Sequence, residues 1–309
     1  MTTTLTTLAR AALKDNHDET RLPVVRKELL HYDILFALKQ SGLLDGLVFQ
    51  GGTSLRLCYG SGRYSEDLDF AGGKDFTSLA LADLRGCIES YLGERYGLAV
   101  AVKDPASLRA DEPIQAALNV DKWQVAVTTD PGRPDLPKQR IKIEVANVPA
   151  YTVVARKLQG NYRCLPDGYK DVLLEVETAD EIMADKLVAL AASQKYVRHR
   201  DIWDLIWLRE RGASVRAELV ERKIEDYRES CYEDKLIGFI EQAPTLIASG
   251  FQETMERFLH PATYHRTLAD PRYTQYITRE LTALYTELRG LLYGCPNKAQ
   301  TPLPAPPLR

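Results

Sequence analysis

A chain of 309 residues, 45% apolar and 27% charged, is long enough to bury a sizeable core in one large or two modest domains. Its formal net charge of −3 excludes a global basic field, so any RNA contact must come from a local patch. The five scattered cysteines lack C-x-x-C spacing and argue for reduced thiols over a zinc site; no apolar run reaches membrane-spanning length and no signal-peptide core opens the chain, so a cytoplasmic protein without a membrane partner is expected.

In chain order, residues 22–41 place Val25, Leu29, Tyr32 and Phe36 on one helical line and Leu30, Ile34 and Leu38 on a second, with Pro23 near the start and Gly42 near the end. This predicts a well-buried helix behind the first strand. His31 lies between the two lines and reads as a packed or surface histidine, since no second histidine is nearby.

The next stretch, LVFQGGTSLRLCYGSGRYSEDLDF over residues 47–70, carries the chemistry. A short apolar run leads into Gly51-Gly52-Thr53-Ser54 and a helical segment. Glycines directly after a strand permit close approach of a ligand, and the N–H groups opening the following helix can hold phosphate, with Thr53 or Ser54 as the helix cap and a further phosphate contact. Asp67 and Asp69 flank Leu68, so in an extended strand both carboxylates project to one side while Leu68 and Phe70 project to the other. Two carboxylates this close repel unless a cation lies between them, and hard oxygen ligands at this spacing suit Mg²⁺ (or Mn²⁺) that also holds substrate phosphates. An isolated D-x-D is more often an exposed acidic strand edge; the preceding strand and Gly-Gly turn favour a metal-dependent phosphoryl or nucleotidyl transfer site.

A further helix is expected over residues 76–96, then strands in LAVAVKDP and KWQVAVTTD. Strict alternation in Arg140–Val145 sends Ile141, Ile143 and Val145 to the core and Arg140, Lys142 and Glu144 to the other face, from which Glu144 would join the aspartates if its strand lay beside theirs. The competing reading is a solvated face with a cross-strand Lys–Glu pair. Thr178 and Glu181 form a capping-box pattern opening a helix in which Lys186 shares the apolar stripe of Ile182 and Leu190. Such a lysine either snorkels to water or aims at triphosphate oxygens. In the segment Lys195–Leu205, Asp201 and Asp204 are i, i+3 neighbours; Asp201 reads as an N-terminal helix charge favourable to the dipole, and Asp204 as a carboxylate that orients Arg200 or Lys186. Lys195, Arg198, His199 and Arg200 form the best local RNA footprint, a solvated helix end being the alternative. From about residue 214 the pattern is helical, Tyr264, Tyr273, Tyr276 and Tyr285 read as core and interface residues rather than base-stacking platforms, and the Pro-rich tail reads as disordered.

These strings resemble the AbiEii/AbiGii-type nucleotidyltransferase toxins, MenT-like members of the polymerase-β-like superfamily. The family pattern runs G-G-T-x-L, then R-[FY]-S-x-D-[IL]-D-[FL], a K-x-E strand matched by Lys142 and Glu144, a helix with A-x-K-[LI]-x-A-L and finally R-D-[IL]-x-D-L, all of which lie within residues 22–210. The resemblance implies an α/β (α+β) minimal nucleotidyltransferase sheet core, and the C-terminal third adds little to it. The shift from mixed to all-helical pattern after about residue 175 divides the chain into a core lobe over residues 1–175 and a helical C-terminal lobe over 176–298, followed by a disordered Pro-rich tail over 299–309. It also implies a nucleotide- and phosphate-binding set of Gly51, Gly52, Thr53, Ser54, Arg63 and Ser65, with catalytic Asp67, Asp69, Glu144, Lys186 and Asp201 or Asp204. The implied substrate is an NTP, the acceptor the 3′ end of tRNA or another RNA, and the partner a cognate AbiEi-like antitoxin from the same operon. A small-molecule or protein-hydroxyl acceptor, or a catalytically silent binding module, are the alternatives.

Overall fold

The computed structural model describes residues 4–13, 19–109, 118–133, 135–193 and 196–294. Lys195 and the Pro-rich tail lie outside the described residues. The expected buried helix is α2 (Leu22–Gln40), preceded by α1 (Leu5–Ala12). Leu29, Leu30, Tyr32, Ile34, Leu35 and Leu38 are all buried, so α2 is apolar on most of its circumference and lies in the core. Its buried polar groups are partnered. Glu28 takes the Arg56 guanidinium at 3.0 Å, and Asp33 accepts from Tyr96 at 2.7 Å and Tyr169 at 2.6 Å. His31 is buried, with Nε2 3.0 Å from the Glu66 carbonyl oxygen, and burial pushes its proton affinity down to about 3, so it stays neutral.

Seven strands form one mixed sheet: β1 (Val48–Gln50), β2 (Leu68–Ala71), β3 (Val100–Lys103), β4 (Val120–Val127), β5 (Gln139–Ala146), β6 (Val153–Lys157) and β7 (Leu173–Glu177), in the order β3-β4-β5-β2-β1-β7-β6. Helix α3 (Gly51–Cys58) starts as β1 ends, α4 (Leu84–Tyr96) leads to β3, and the short α5 (Ala106–Arg109) follows β3. The strand expected in Arg140–Val145 does lie beside β2, in parallel, with the alternation read from the sequence. Trp123, Val125, Ile141, Ile143, Phe49 and Phe70 fill one face against α2 and α4. Two strands, β6 and β7, went unread in the sequence. The helix expected from residue 76 begins only at Leu84, after a 3₁₀ turn over Ser78–Leu81.

A second apolar core is helical. It is built by α6 (Ala179–Ala192), α7 (His199–Glu210), α8 (Ala217–Asp226), α9 (Tyr232–Ala248), α10 (Phe251–Phe258) and α12 (Pro271–Tyr293), with the short α11 (Pro261–Arg266) between the last two. Leu55 of α3 inserts into this core, and the fully buried Tyr285 donates to the Leu187 carbonyl at 3.1 Å. None of the described helices is long and apolar enough to cross a membrane.

Candidate active site

Strand pairing places the carboxylates. Gln50 of β1 is opposite Asp69 of β2, and Asp69 is opposite Glu144 of β5. Paired residues of parallel strands project to the same side. Asp69 and Glu144 therefore stand together on the sheet face away from the α2 core, with Leu68 and Ile143 buried behind them. Asp67 directly precedes β2. Burial, then Glu144, then Asp67 push the Asp69 carboxyl up to about 7, against a partial opposing pull from Lys186. A carboxylate so destabilised invites a cation.

The glycine pair is explained by these side chains. Gly51 has φ +76, and a Cβ there would lie 2.7 Å from Asp69 Oδ2. A Cβ on Gly52 would run into Arg63 Nη2 and approach Ser65 Oγ to 3.1 Å. The two glycines thus leave room for the Asp69 carboxylate and the Arg63 guanidinium to come against the chain. The expectation for the hydroxyls is corrected. Thr53 and Ser54 are fully buried, Thr53 Oγ1 donates to the Asp67 carbonyl, Ser54 Oγ donates to the Gly51 carbonyl at 2.8 Å, and the helix is capped by Gln50 without a side-chain bond. The Thr53 hydroxyl fastens the α3 turn to the residue before β2, the Ser54 hydroxyl closes back on the first turn of α3 itself, and neither caps the helix.

Opposite the sheet face, α6 and α7 supply a buried ionic chain. Lys186 Nζ lies 2.7 Å from Asp201 Oδ1 and 2.7 Å from Asp204 Oδ2. Asp204, with no exposed surface, also receives a two-pronged bond from Arg63, Nε to Oδ1 and Nη2 to Oδ2, each 2.5 Å. Asp201 receives Arg198 Nε at 2.5 Å. Burial works against the Lys186 charge, yet Asp201 and then Asp204 more than offset it and raise its proton affinity. Burial likewise opposes the Asp201 charge, but Lys186 and Arg198 hold it well below the usual carboxylate range. Asp204 therefore orients Lys186, and Arg63 in place of the Arg200 considered from the sequence. Arg200 pairs with Glu66 at 3.0 Å and lies over the Phe258 ring.

Between the sheet and α6 lies a cleft of about 540 Å³, in the range of nucleotide-sized ligand sites. Gln50, Gly51, Asp69 and Glu144 line one wall, and Lys186, Asp201, Arg198 and Tyr196 line another. An ammonium has three N–H donors. Two of those on Lys186 are taken by aspartates, which leaves one for a cleft ligand. No three His, Cys, Asp or Glu side chains converge as a metal group among the described residues. The Asp69–Glu144 pair with Asp67 beside it fits Mg²⁺ held by one or two carboxylates and completed by substrate phosphates and water, and does not fit an all-protein cage.

Over residues 33–279 the sequence matches the family described as the nucleotidyl transferase AbiEii toxin of type IV toxin–antitoxin systems. The chain belongs to the AbiEii family. Two solved structures from Helicobacter pylori are similar to it. A provisionally assigned nucleotidyltransferase is 19% identical, with 86% of this chain and 96% of that one covered at a TM-score of 0.45. JHP933 is 20% identical, with 87% and 97% covered at a TM-score of 0.40. Both scores are too low to carry an argument, and the family assignment rests on the sequence match. No curated protein matches the chain.

This AbiEii-family chain also has a buried charge cluster that sequence reading missed. Lys223 of α8 is fully buried and lies 2.9 Å from Glu177, 2.9 Å from Glu181 and 3.1 Å from Asp185. Glu181 accepts from the Tyr151 N–H at 2.8 Å and the Thr152 N–H at 2.5 Å, so its carboxylate does not return to Thr178 as a full capping box would. The available signal was Lys223 within one helical turn of the apolar Leu219 and Val220.

Proposed function

We propose that this AbiEii-family toxin transfers a nucleoside monophosphate from an NTP to RNA, at the 3′ acceptor end of tRNA, and thereby blocks translation. The observation that carries the reading is the placement of the Asp69–Glu144 pair across a nucleotide-sized cleft from the buried Lys186 ammonium. Negative and positive walls facing one another suit a triphosphate whose metal-bound end and leaving end need opposite partners.

In this mechanism Asp67 and Asp69 would hold Mg²⁺ or Mn²⁺, with Glu144 flanking. Bound there, the ion would neutralise phosphate charge and orient the α-phosphate for in-line attack. The Gly51–Gly52 backbone borders the triphosphate. Arg63 fixes Asp204, Asp204 and Asp201 fix Lys186, and the free N–H of Lys186 meets the charge that builds on departing pyrophosphate. An RNA hydroxyl forms the new bond to the α-phosphorus, the bond to pyrophosphate breaks, and the hydroxyl proton leaves to water in the cleft. A cognate antitoxin, AbiEi-like and from the same operon, counters the toxin.

Pyrophosphate release tests this reading. With Mg²⁺, each NTP in turn and purified tRNA, the protein should release pyrophosphate only when tRNA is present, and an Asp69→Ala variant should release none. Release that ignores tRNA would move the acceptor to a small molecule or a protein hydroxyl, and no release with any NTP would reduce the chain to a binding module.

A further inference from the structure

The face on which Asp69 and Glu144 stand continues beyond them along β5, β4 and β3. Counting back from Glu144 in steps of two, Lys142 and Arg140 project to the same side, and both are exposed. Register carries the face across the sheet. Glu144 is opposite Lys122, Lys142 is opposite Gln124, and Gln124 is opposite Lys103. Lys122 and Lys103 are also exposed.

Within these three strands Glu144 is the one acid on this side, because Asp121 turns to the core face and is buried with Ser107 and Asn119. Four cations against one acid is a marked local excess on a chain whose net charge is −3. Lys122 is the one committed to Glu144, at 3.2 Å. Among the described residues Lys103, Arg140 and Lys142 form no ion pair.

A bland explanation exists for one of them. Lysine on an edge strand deters edge-to-edge association, and β3 is an edge, so Lys103 alone would need no further account. Strand β5 is interior, between β4 and β2. Edge protection does not explain why it carries Arg140 and Lys142. Between the cations the surface is low, formed by Ala101, Gln124 and Ala126. Strand rise puts Arg140, Lys142 and Glu144 about 6.6 Å apart in succession, a spacing of the same order as that of successive phosphates on an extended strand.

We propose that the exposed face of β3, β4 and β5, with Lys103, Arg140 and Lys142 as its principal contacts, is the track along which the phosphodiester backbone of the acceptor RNA reaches the Asp69–Glu144 end of the cleft. This rests on the RNA acceptor proposed above and names the surface that receives it. It also displaces the footprint expected from the sequence: Arg198 is spent on Asp201 and Arg200 on Glu66, whereas the sheet cations are available.

The test is fluorescence anisotropy of full-length protein with 5′-fluorescein-labelled tRNA over a series of KCl concentrations, together with transfer kinetics. A Lys103→Glu/Arg140→Glu variant alters exposed side chains away from the carboxylates. Its RNA affinity should fall at least about tenfold, and the slope of log K against log salt should shrink by about 1.4, two contacts at roughly 0.7 each. KM for RNA should rise in proportion, with KM for NTP and kcat at saturating RNA unchanged. A Lys157→Glu/Arg279→Glu control, with the same charge change on other surfaces, should bind RNA as the parent does. If the reversals unfold the chain, Lys103→Gln/Arg140→Gln serves with the same predicted slope. Unchanged affinity and slope in the sheet variant, or an equal loss in the control, would overturn the track while RNA transfer by the parent still stood. Nucleotide transfer by a parent protein that binds no RNA would overturn the acceptor reading and the track with it.

Discussion

Replacing Asp69 by asparagine should make the metal-free protein more stable while removing its activity. The Asp69 carboxyl is pushed from 3.8 to about 7, a difference corresponding to roughly 4 kcal/mol if the group were wholly buried. Asp69 keeps some exposure at the cleft, and screening there reduces the figure to about 2 kcal/mol. The sign follows from proton binding. The folded-state value lies above the unfolded one, so the folded protein holds an extra proton between about pH 4 and 7, and this contribution to stability declines as pH rises through that window. Asp69→Asn removes the decline. Chemical denaturation without metal should show the two proteins equal near pH 4 and the variant about 2 kcal/mol more stable at pH 8, or roughly 4 °C higher in Tm. Added Mg²⁺ should then stabilise the parent at pH 8 and leave the variant unmoved. A variant no more stable than the parent at pH 8 would refute the view that Glu144, Asp67 and burial strain this carboxylate.

Other consequences are equally specific. Asp204→Asn weakens the anchor of both Arg63 and Lys186 and should cost about 3–5 kcal/mol in urea unfolding. Combined with Arg63→Gln, the loss should fall short of the sum by at least about 1 kcal/mol, a coupling that independent sites would not show. Gly51→Ala meets both a left-handed backbone and the Asp69 carboxylate, whereas Gly46→Ala, at φ +81 with open space around it, meets only the first. Gly46→Ala should lose about 1 kcal/mol of stability, Gly51→Ala more than that, and only Gly51→Ala should also lose nucleotide transfer. Lys223→Met leaves Glu177, Glu181 and Asp185 without their shared cation. Burial, then Asp185, raise Glu177 well above the carboxylate range even with Lys223 present, so the variant should be destabilised by about 3–5 kcal/mol in urea unfolding at neutral pH.

The sequence announced what local periodicity can encode. Alternation at Arg140–Val145 and at Leu68–Phe70 gave the side of each strand, and parallel pairing of β2 with β5 then brought Asp69 level with Glu144, while Asp67, read as part of the same strand, precedes β2. Helix α2 was legible from its two apolar lines. Strand β6 was not, because at the sheet edge its residues Val153–Lys157 bury no regular face, and β7 was obscured by Glu177, an acid buried only because Lys223 arrives from a distant helix. The same limit applies to the cleft. Arg63 and Asp204 are 141 residues apart, and no local pattern ties them together. Gly-Gly read as a phosphate turn, while its steric reason, room for Asp69 and Arg63, depends on contacts that only the folded chain supplies.

Nucleotide transfer itself is the most direct test of the account. Purified protein would be incubated with total RNA, Mg²⁺ and each α-³²P-labelled NTP in turn, beside Asp69→Ala, and the labelled RNA would be sized and its modified end mapped. The account predicts label at the 3′ end of tRNA-sized RNA with the parent and none with the variant. Label that persists in Asp69→Ala, or that enters protein or small molecules and never RNA, would contradict it.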